Sequence, residues 1–264
     1  MTLVSAGIDA GTTSATRVAD VLLLFLDSND TSLGVTTIAR RLGLSKAVVH
    51  RILVSLVSRG LLVPDRGTRR YRLGPAAAAV GARALRELDP RTIALPVLRR
   101  LRDATRETTT LSLVVGDWRV YVEQVESPQE IRMLVEIGRR FPMHAGASSK
   151  AILAWLPEED QARLLPLPLP PLTARTITDV DLLRQELYRI RAEGVATSSG
   201  ERQAGAASVA APLLGLDGHA VGAISVCGPV ERFGAEQTRS YRALVRDAAR
   251  DVSGRLGWHG PAPP

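Results

Sequence analysis

The sequence predicts an α+β protein of two domains, and three observations carry that prediction. With 264 residues, the chain is long for one compact domain. Its second half sets strand-like runs joined by tight turns against helices inserted in blocks. That pattern suits an antiparallel sheet with segregated helices rather than a doubly wound parallel one. The stretch 15–75 instead reads helix, helix, turn, helix, hairpin, and it holds a concentration of positive charge.

Residues 1–14 are small and polar and read as a disordered arm. From Ala15, the side chains Val18, Val21, Leu22, Phe25 and Leu26 form one helical stripe, which "DSND" ends. A second helix is expected over Val35–Leu42 with Ile38 and Leu42 inward, and Gly43 breaks it. Ser45 then stands where an N-cap accepts a hydrogen bond from a first-turn amide. In the third helix Val48, Ile52 and Leu56 recur every four residues, flanked by Val49 and Leu53, until Gly60 stops it. "LLVP", "DRGTR" and "RYRLG" follow as two short strands around an Asp65–Gly67 turn.

Next, "PAAAAVGARALREL" places Ala77, Val80, Ala84 and Leu88 at helical spacing, a candidate linker over 76–90. Pro90 interrupts it, and the chain restarts as "RTIALPVLRRLRDATRE". Within a second domain over 91–258, "TTLSLVV", "WRVYVEQV" and "IRMLVEI" read as successive strands. "SSKAILAWL" and "EEDQARLL" read as helices, and "PLPLPPLTA" as a loop. Asp179–Glu193 is expected to be helical with Leu182, Leu183, Leu187 and Ile190 inward. The strands "SVAAPLL" and "AVGAISVCG" bracket an Asp217–Gly218 turn, and a final helix runs from Ala235 to Leu256. Residues 259–264 form a tail.

Composition narrows the function classes. A 45% hydrophobic, 23% charged chain has ample material for cores. Cys227 is the only cysteine, which excludes an intramolecular disulfide or a cysteine-rich zinc site and fits a reducing compartment. The first basic residue is Arg17, so the start does not read as a signal peptide, and "VLLLFL" is too short to span a bilayer. A cytoplasmic protein with no membrane partner is expected. His144, His219 and His259 are scattered without ligand spacing, and no glycine-rich phosphate loop is present, so neither metal nor cofactor is expected. "HAGAS" lacks the Gly-x-Ser-x-Gly of a nucleophile elbow. An enzyme is therefore not expected, although a hydrolase acting through Ser148 or Ser225 remains an alternative.

The charge is placed unevenly. Between Ala39 and Arg72 stand nine basic residues against the single acid Asp65, whereas the whole chain carries only +7. A basic module joined to a balanced remainder is the electrostatic footprint of a polyanion-binding protein. With Val48 and Ile52 inward, Ser45, Lys46, Ala47, His50 and Arg51 are left at the outward N-terminal end of the third helix. That is the end a helix-turn-helix protein presents to base edges in the major groove. Arg51 suits guanine, and Lys46 with the first-turn amides suits phosphate. Arg66, Arg69, Arg70 and Arg72 on the hairpin are placed to grip phosphate or minor groove. A non-specific architectural DNA binder would share these features.

The run "TTIARRLGLSKAVVHRILVSLVSRGLL…RRYRLG" closely resembles the N-terminal winged helix-turn-helix of IclR-type bacterial transcriptional regulators. The likeness continues through "GRRFPMHAGASSKAILAWL" and "GVATSSGERQAGAASVAAPLLGLDGHAVGAISVCGPVERF", covering Ala15 to Leu256. The resemblance implies a linker helix, a GAF-like C-terminal α+β effector-binding domain, and a dimer or dimer of dimers. It also implies a pseudo-palindromic double-stranded DNA operator and a small-molecule effector, often an organic or aromatic acid. Carried onto this sequence, the effector pocket is lined by Met133, Phe141, Ala147, Ser148, Ser198, Ser208, Ser225 and Cys227. Two departures from the family pattern stand out: a serine where a glycine usually precedes Lys150, and the polarity near Ser198, where many members carry an acid.

Overall fold

The computed structural model describes residues 14–25, 30–65, 67–165 and 168–260, excepting the side chains of 84–87. The expected arm, apart from Ser14, lies outside these residues, as do Leu26, Arg66 and the end of the tail. The chain divides between Leu88 and Asp89 into two compact units.

In the first unit, α1 (Ser14–Leu23), α2 (Val35–Leu42) and α3 (Lys46–Ser58) enclose a core with a small sheet of β1 (Leu33–Gly34), β2 (Leu62–Pro64) and β3 (Arg70–Leu73). Val21, Leu33, Ile38, Val49, Leu53, Leu56 and Leu62 fill that core, each fully buried aliphatic side chain being worth about 1.5–3 kcal/mol. β3 is central, pairing antiparallel with β1 on one side and β2 on the other. The two-residue β1 carries no sequence pattern of its own and was not anticipated. Val49 rather than Val48 is the fully buried member of the α3 stripe, and Val48 is half-buried.

The α2–α3 turn depends on backbone conformation. Gly43 has φ +64°, and its N–H and that of Leu44 both donate to the Ala39 carbonyl. A Cβ added at Gly43 would meet nothing within 4 Å. Glycine is therefore required by its positive φ, not by the close helix crossing that a small residue would otherwise suggest.

The linker candidate forms α4 (Pro75–Glu87), and a separate helix α5 (Pro90–Thr105) follows, capped by the Asp89 carboxylate, which accepts from Arg91 and Thr92 amides. On α4 Val80 is 66% exposed, whereas Ala77 is half-buried.

The second unit is built on a six-stranded antiparallel sheet. Its strands are β4 (Thr108–Val115), β5 (Trp118–Val125), β6 (Arg140–Phe141), β7 (Ala196–Ser199), β8 (Ala206–Leu214) and β9 (Ala220–Pro229). They lie in the order β6-β5-β4-β9-β8-β7. The helices are α6 (Ala147–Leu153), α7 (Glu158–Leu164), α8 (Val180–Glu193) and α9 (Ala235–Arg255). Period-two alternation sorts the sheet residues. Leu111, Val209, Ile224 and Val226 pack with Leu98, Leu101, Val245 and Val252 of α5 and α9. Ala210, Leu214 and Ala223 pack with Ile152, Leu153, Leu183 and Leu187 of α6 and α8.

Two expectations are corrected here. "IRMLVEI" is not a strand, because side chains satisfy its backbone in place of a ladder. The Ile131 carbonyl accepts from Arg232, the Met133 carbonyl from the Thr108 hydroxyl, and the Val135 amide donates to Gln124 Oε1. Only Val135 is buried there, while Ile131 is 73% exposed. Leu182 also points outward at 57% exposure, since Leu183, Leu187 and Ile190 define the inner face of α8.

Replacing Gly43 by Ala is expected to cost about 1–2 kcal/mol. Gly81→Ala within α4 has equally open space around it and is expected to gain up to about 1 kcal/mol. Urea denaturation followed by circular dichroism measures both, and equal effects would contradict the conformational explanation.

Candidate functional sites

The first site is the exposed start of α3. The Ser45 hydroxyl accepts from the Val48 amide at 3.3 Å, fixing where the helix begins. Burial of Val49, Ile52, Leu53 and Leu56 sets its rotation. Lys46, Ala47, His50 and Arg51 are consequently all exposed on its first turns. The hairpin beside it is closed by Asp65, whose carboxylate accepts from the Gly67 amide and the Thr68 hydroxyl. The Thr68 and Gly67 hydrogen bonds and the Arg72 and Arg70 charges hold that carboxyl below its ordinary range.

The hairpin arginines differ in their surroundings. Arg69 sits at φ +55° and is exposed, as is Arg72. Arg70 instead braces the fold, pairing with Asp30 at 2.8 Å and donating to the Ser32 carbonyl. Arg66 lies outside the described residues.

The second site is a cleft on the α6 side of the second unit's sheet. Register places Ser198, Ser208, Cys227 and Thr108 side by side across β7, β8, β9 and β4. Gly146, Ala147 and Ser148 at the start of α6, together with Met133, line the cleft with Ser198, Ser208 and Cys227 of this row. Six of the eight expected effector residues thus line one cleft. The other two lie beside it: Ser225 is buried in a hydroxyl pair with Thr110 at 2.7 Å, and Phe141 packs edge-on against Tyr121 at 5.3 Å. Burial pushes the Cys227 thiol up to about 12, so it stays protonated and is no nucleophile at neutral pH. No histidine hydrogen-bonds Ser148 or Ser225 among the described residues. His144 is tied to the Pro170 carbonyl at 2.9 Å.

Sequence patterns missed Arg119, Tyr121 and Arg202, which also line the cleft. The spacing of Arg119 and Tyr121, two residues apart on one strand, was the available signal for the first two. Arg202 sits in the loop "GERQAG", which has no periodicity to read.

Both units match known proteins. Residues 14–66 match the IclR helix-turn-helix domain, and residues 82–254 match the bacterial transcriptional regulator IclR C-terminal domain. The chain belongs to the IclR family of bacterial transcriptional regulators. It is 35% identical over 250 residues to the HTH-type transcriptional regulator BhcR of Paracoccus denitrificans, covering 94% of this chain and 90% of that one. It is 40% identical over 225 residues to an HTH-type transcriptional regulator of Mycobacterium tuberculosis, covering 85% of each. A crystal structure of a putative IclR regulator from Silicibacter sp. aligns at TM-score 0.84 and 28% identity, over 94% of this chain and 98% of that one. The IclR-family chain is thus a DNA-binding transcriptional regulator, and these relatives carry regulatory names, not enzymatic ones. Among the described residues, no helix is long and apolar enough to cross a membrane. Nor does any group of three or more His, Cys, Asp or Glu among them form a potential metal site.

In this IclR-family chain a buried ion triad fixes the cleft. Lys150, 1% exposed, reaches Glu186 at 3.0 Å and Glu201 at 2.6 Å. The second oxygen of Glu201 accepts from the Gly146 amide, so one ammonium ties together α6, α8 and the loop after β7. The same groups edge a larger groove of about 580 Å³ beside β7, where Lys150, Glu186, Arg189 and Glu201 largely neutralise one another. Burial opposes the charge on Glu186, but Lys150 and Arg189 outweigh it and hold the carboxyl below its ordinary value.

Lys150→Ala is expected to destabilise the second unit by about 3–5 kcal/mol, because Glu201 is left buried without a cation and Glu186 keeps only Arg189. The Glu186 contribution is complete above its unfolded value of 4.5 and is lost as pH falls through the lower folded value. Thermal melts from neutral pH into the acid range should show that loss in the wild type and a flatter acid limb in Glu186→Gln.

Proposed function

We propose that the chain is an effector-controlled operator-binding switch. The exposed first turns of α3, capped by Ser45 and carrying Lys46, Ala47, His50 and Arg51, carry this reading. They enter the major groove, and the hairpin with Arg69 and Arg72 holds the flanking backbone. Arg70 acts there chiefly by bracing the hairpin against Asp30 and Ser32.

Two or four copies assemble, and the exposed Val80 on α4 supports self-association through that helix. A dimer places its two α3 helices in successive major grooves about 34 Å apart, so its operator is a pseudo-palindrome. A small organic or aromatic acid occupies the cleft lined by Met133, Ala147, Ser148, Ser198, Ser208 and Cys227, with Phe141 and Ser225 supporting its walls. Its binding favours one spacing of the reading heads, and α4 transmits the change. Equal affinity for both arrangements would shift nothing.

Selection from random DNA should return two related half-sites, whereas a non-specific architectural binder would return none. On that operator Arg51→Ala is expected to cost about 1–3 kcal/mol at particular base pairs and relax preference there. Arg72→Ala should weaken all sequences alike and lower the salt slope by about one. An unaltered base-preference profile for Arg51→Ala would refute the groove-reading role.

A further inference from the structure

The cleft holds two positive charges that no carboxylate among the described residues answers. Arg119 on β5 is 1% exposed, yet its hydrogen-bond partners are the neutral hydroxyls of Ser149 and Ser112, at 2.8 and 2.9 Å. Its guanidinium lies 4.3 Å from the Tyr121 ring centroid and 4.8 Å from that of Phe141. Arg202 approaches the same Phe141 ring, also at 4.8 Å. Among the described residues Arg202 makes no hydrogen bond or ion pair, and its guanidinium also lies 5.9 Å from the Tyr121 ring centroid. The flanking acids are already engaged, Glu201 with Lys150 and Glu107 with Arg232 at 2.8 Å. The other polar side chains of the lining are hydroxyls, the Gln203 carboxamide and the Cys227 thiol, all of them uncharged.

An unanswered buried charge is costly, and a second one nearby adds repulsion. Burial, joined by the Arg202 charge, lowers the Arg119 value from its ordinary range. A fold that keeps both arginines here is arranged for an anion that arrives from outside. Guanidinium forks match carboxylates in two-point hydrogen bonds. A dianion neutralises both charges, a monoanion leaves one, and a neutral molecule leaves two.

Resting on the reading of this cleft as the effector site, we infer that Arg119 and Arg202 form an anion clamp that selects a short dicarboxylic acid. Arg119 is the fixed jaw, held by Ser149 and Ser112. Arg202 is the movable one. The cleft as it stands leaves about 20 Å³ free, room for a single water, so Arg202 swings aside to admit the acid and then closes on its second carboxylate. The Tyr121 and Phe141 rings behind the arginines limit the acid to a short chain.

Calorimetric titration of the full chain with malonate and succinate tests this. Both should bind, more weakly as ionic strength rises, while propionate binds at least about tenfold more weakly and malonamide does not bind. Arg202→Gln should lose about tenfold or more in malonate affinity. Arg119→Lys, which keeps the charge but loses the fork, should fall between that variant and the wild type. Arg119→Met should melt no lower than the wild type without ligand, yet lose the malonate-induced rise in melting temperature. A purely structural Arg119 would instead give a lower melting point. Failure of both dicarboxylates to bind, or equal binding of malonate by the wild type and Arg202→Gln, overturns the clamp. Operator selection with the wild-type chain separates the two readings. Half-sites together with a response to a neutral ligand would leave the regulator standing without the clamp, and no selected operator would remove the regulator itself.

Discussion

The buried Lys150 ammonium is the constraint on which the second unit's site depends. One cation holds Glu186 from α8 and Glu201 from the loop after β7, and Glu201 in turn holds the Gly146 amide at the start of α6. Its neighbour Ser149 donates to the Pro142 carbonyl and accepts from Arg119. Two consecutive residues of α6 therefore fix the helix start, a loop and a strand side chain relative to one another. Charges this deep tolerate little displacement, because each loses most of its stabilisation once a partner moves away. The cleft walls consequently have defined positions, while Arg202 lies outside this hydrogen-bonded network and rests against the Phe141 ring.

The first unit obeys a different constraint. Its reading surface is set by apolar packing and backbone geometry: Gly43 turns the chain, Ser45 starts α3, and the buried Val49, Ile52, Leu53 and Leu56 rotate its basic face outward. Among the described residues Lys46, His50 and Arg51 make no ion pair, which leaves them available for a polyanion. Arg70 shows the opposite case, its guanidinium committed to Asp30 and Ser32.

Legibility in the sequence follows this division. Helix stripes, the Gly43 break, the Ser45 cap and the strands flanking Asp217 are local, and residue order alone placed them. The row of Ser198, Ser208 and Cys227 came through resemblance and was then explained by register across three strands. What escaped depends on distant partners. Lys150 meets carboxylates 36 and 51 residues away, and Arg119 reaches Ser149 across 30. "IRMLVEI" misled because alternation reports apolar spacing, whereas the backbone there is satisfied by Thr108, Gln124 and Arg232.

The claim joining the two sites is that occupancy of the cleft changes operator affinity. Fluorescence anisotropy of the selected operator, titrated with full-length protein at zero and saturating acid, measures that coupling directly. The account predicts a shift of about 5- to 150-fold, matched by an equal shift in acid affinity when operator is present. An identical operator affinity under both conditions, with calorimetry showing the cleft filled, would contradict it.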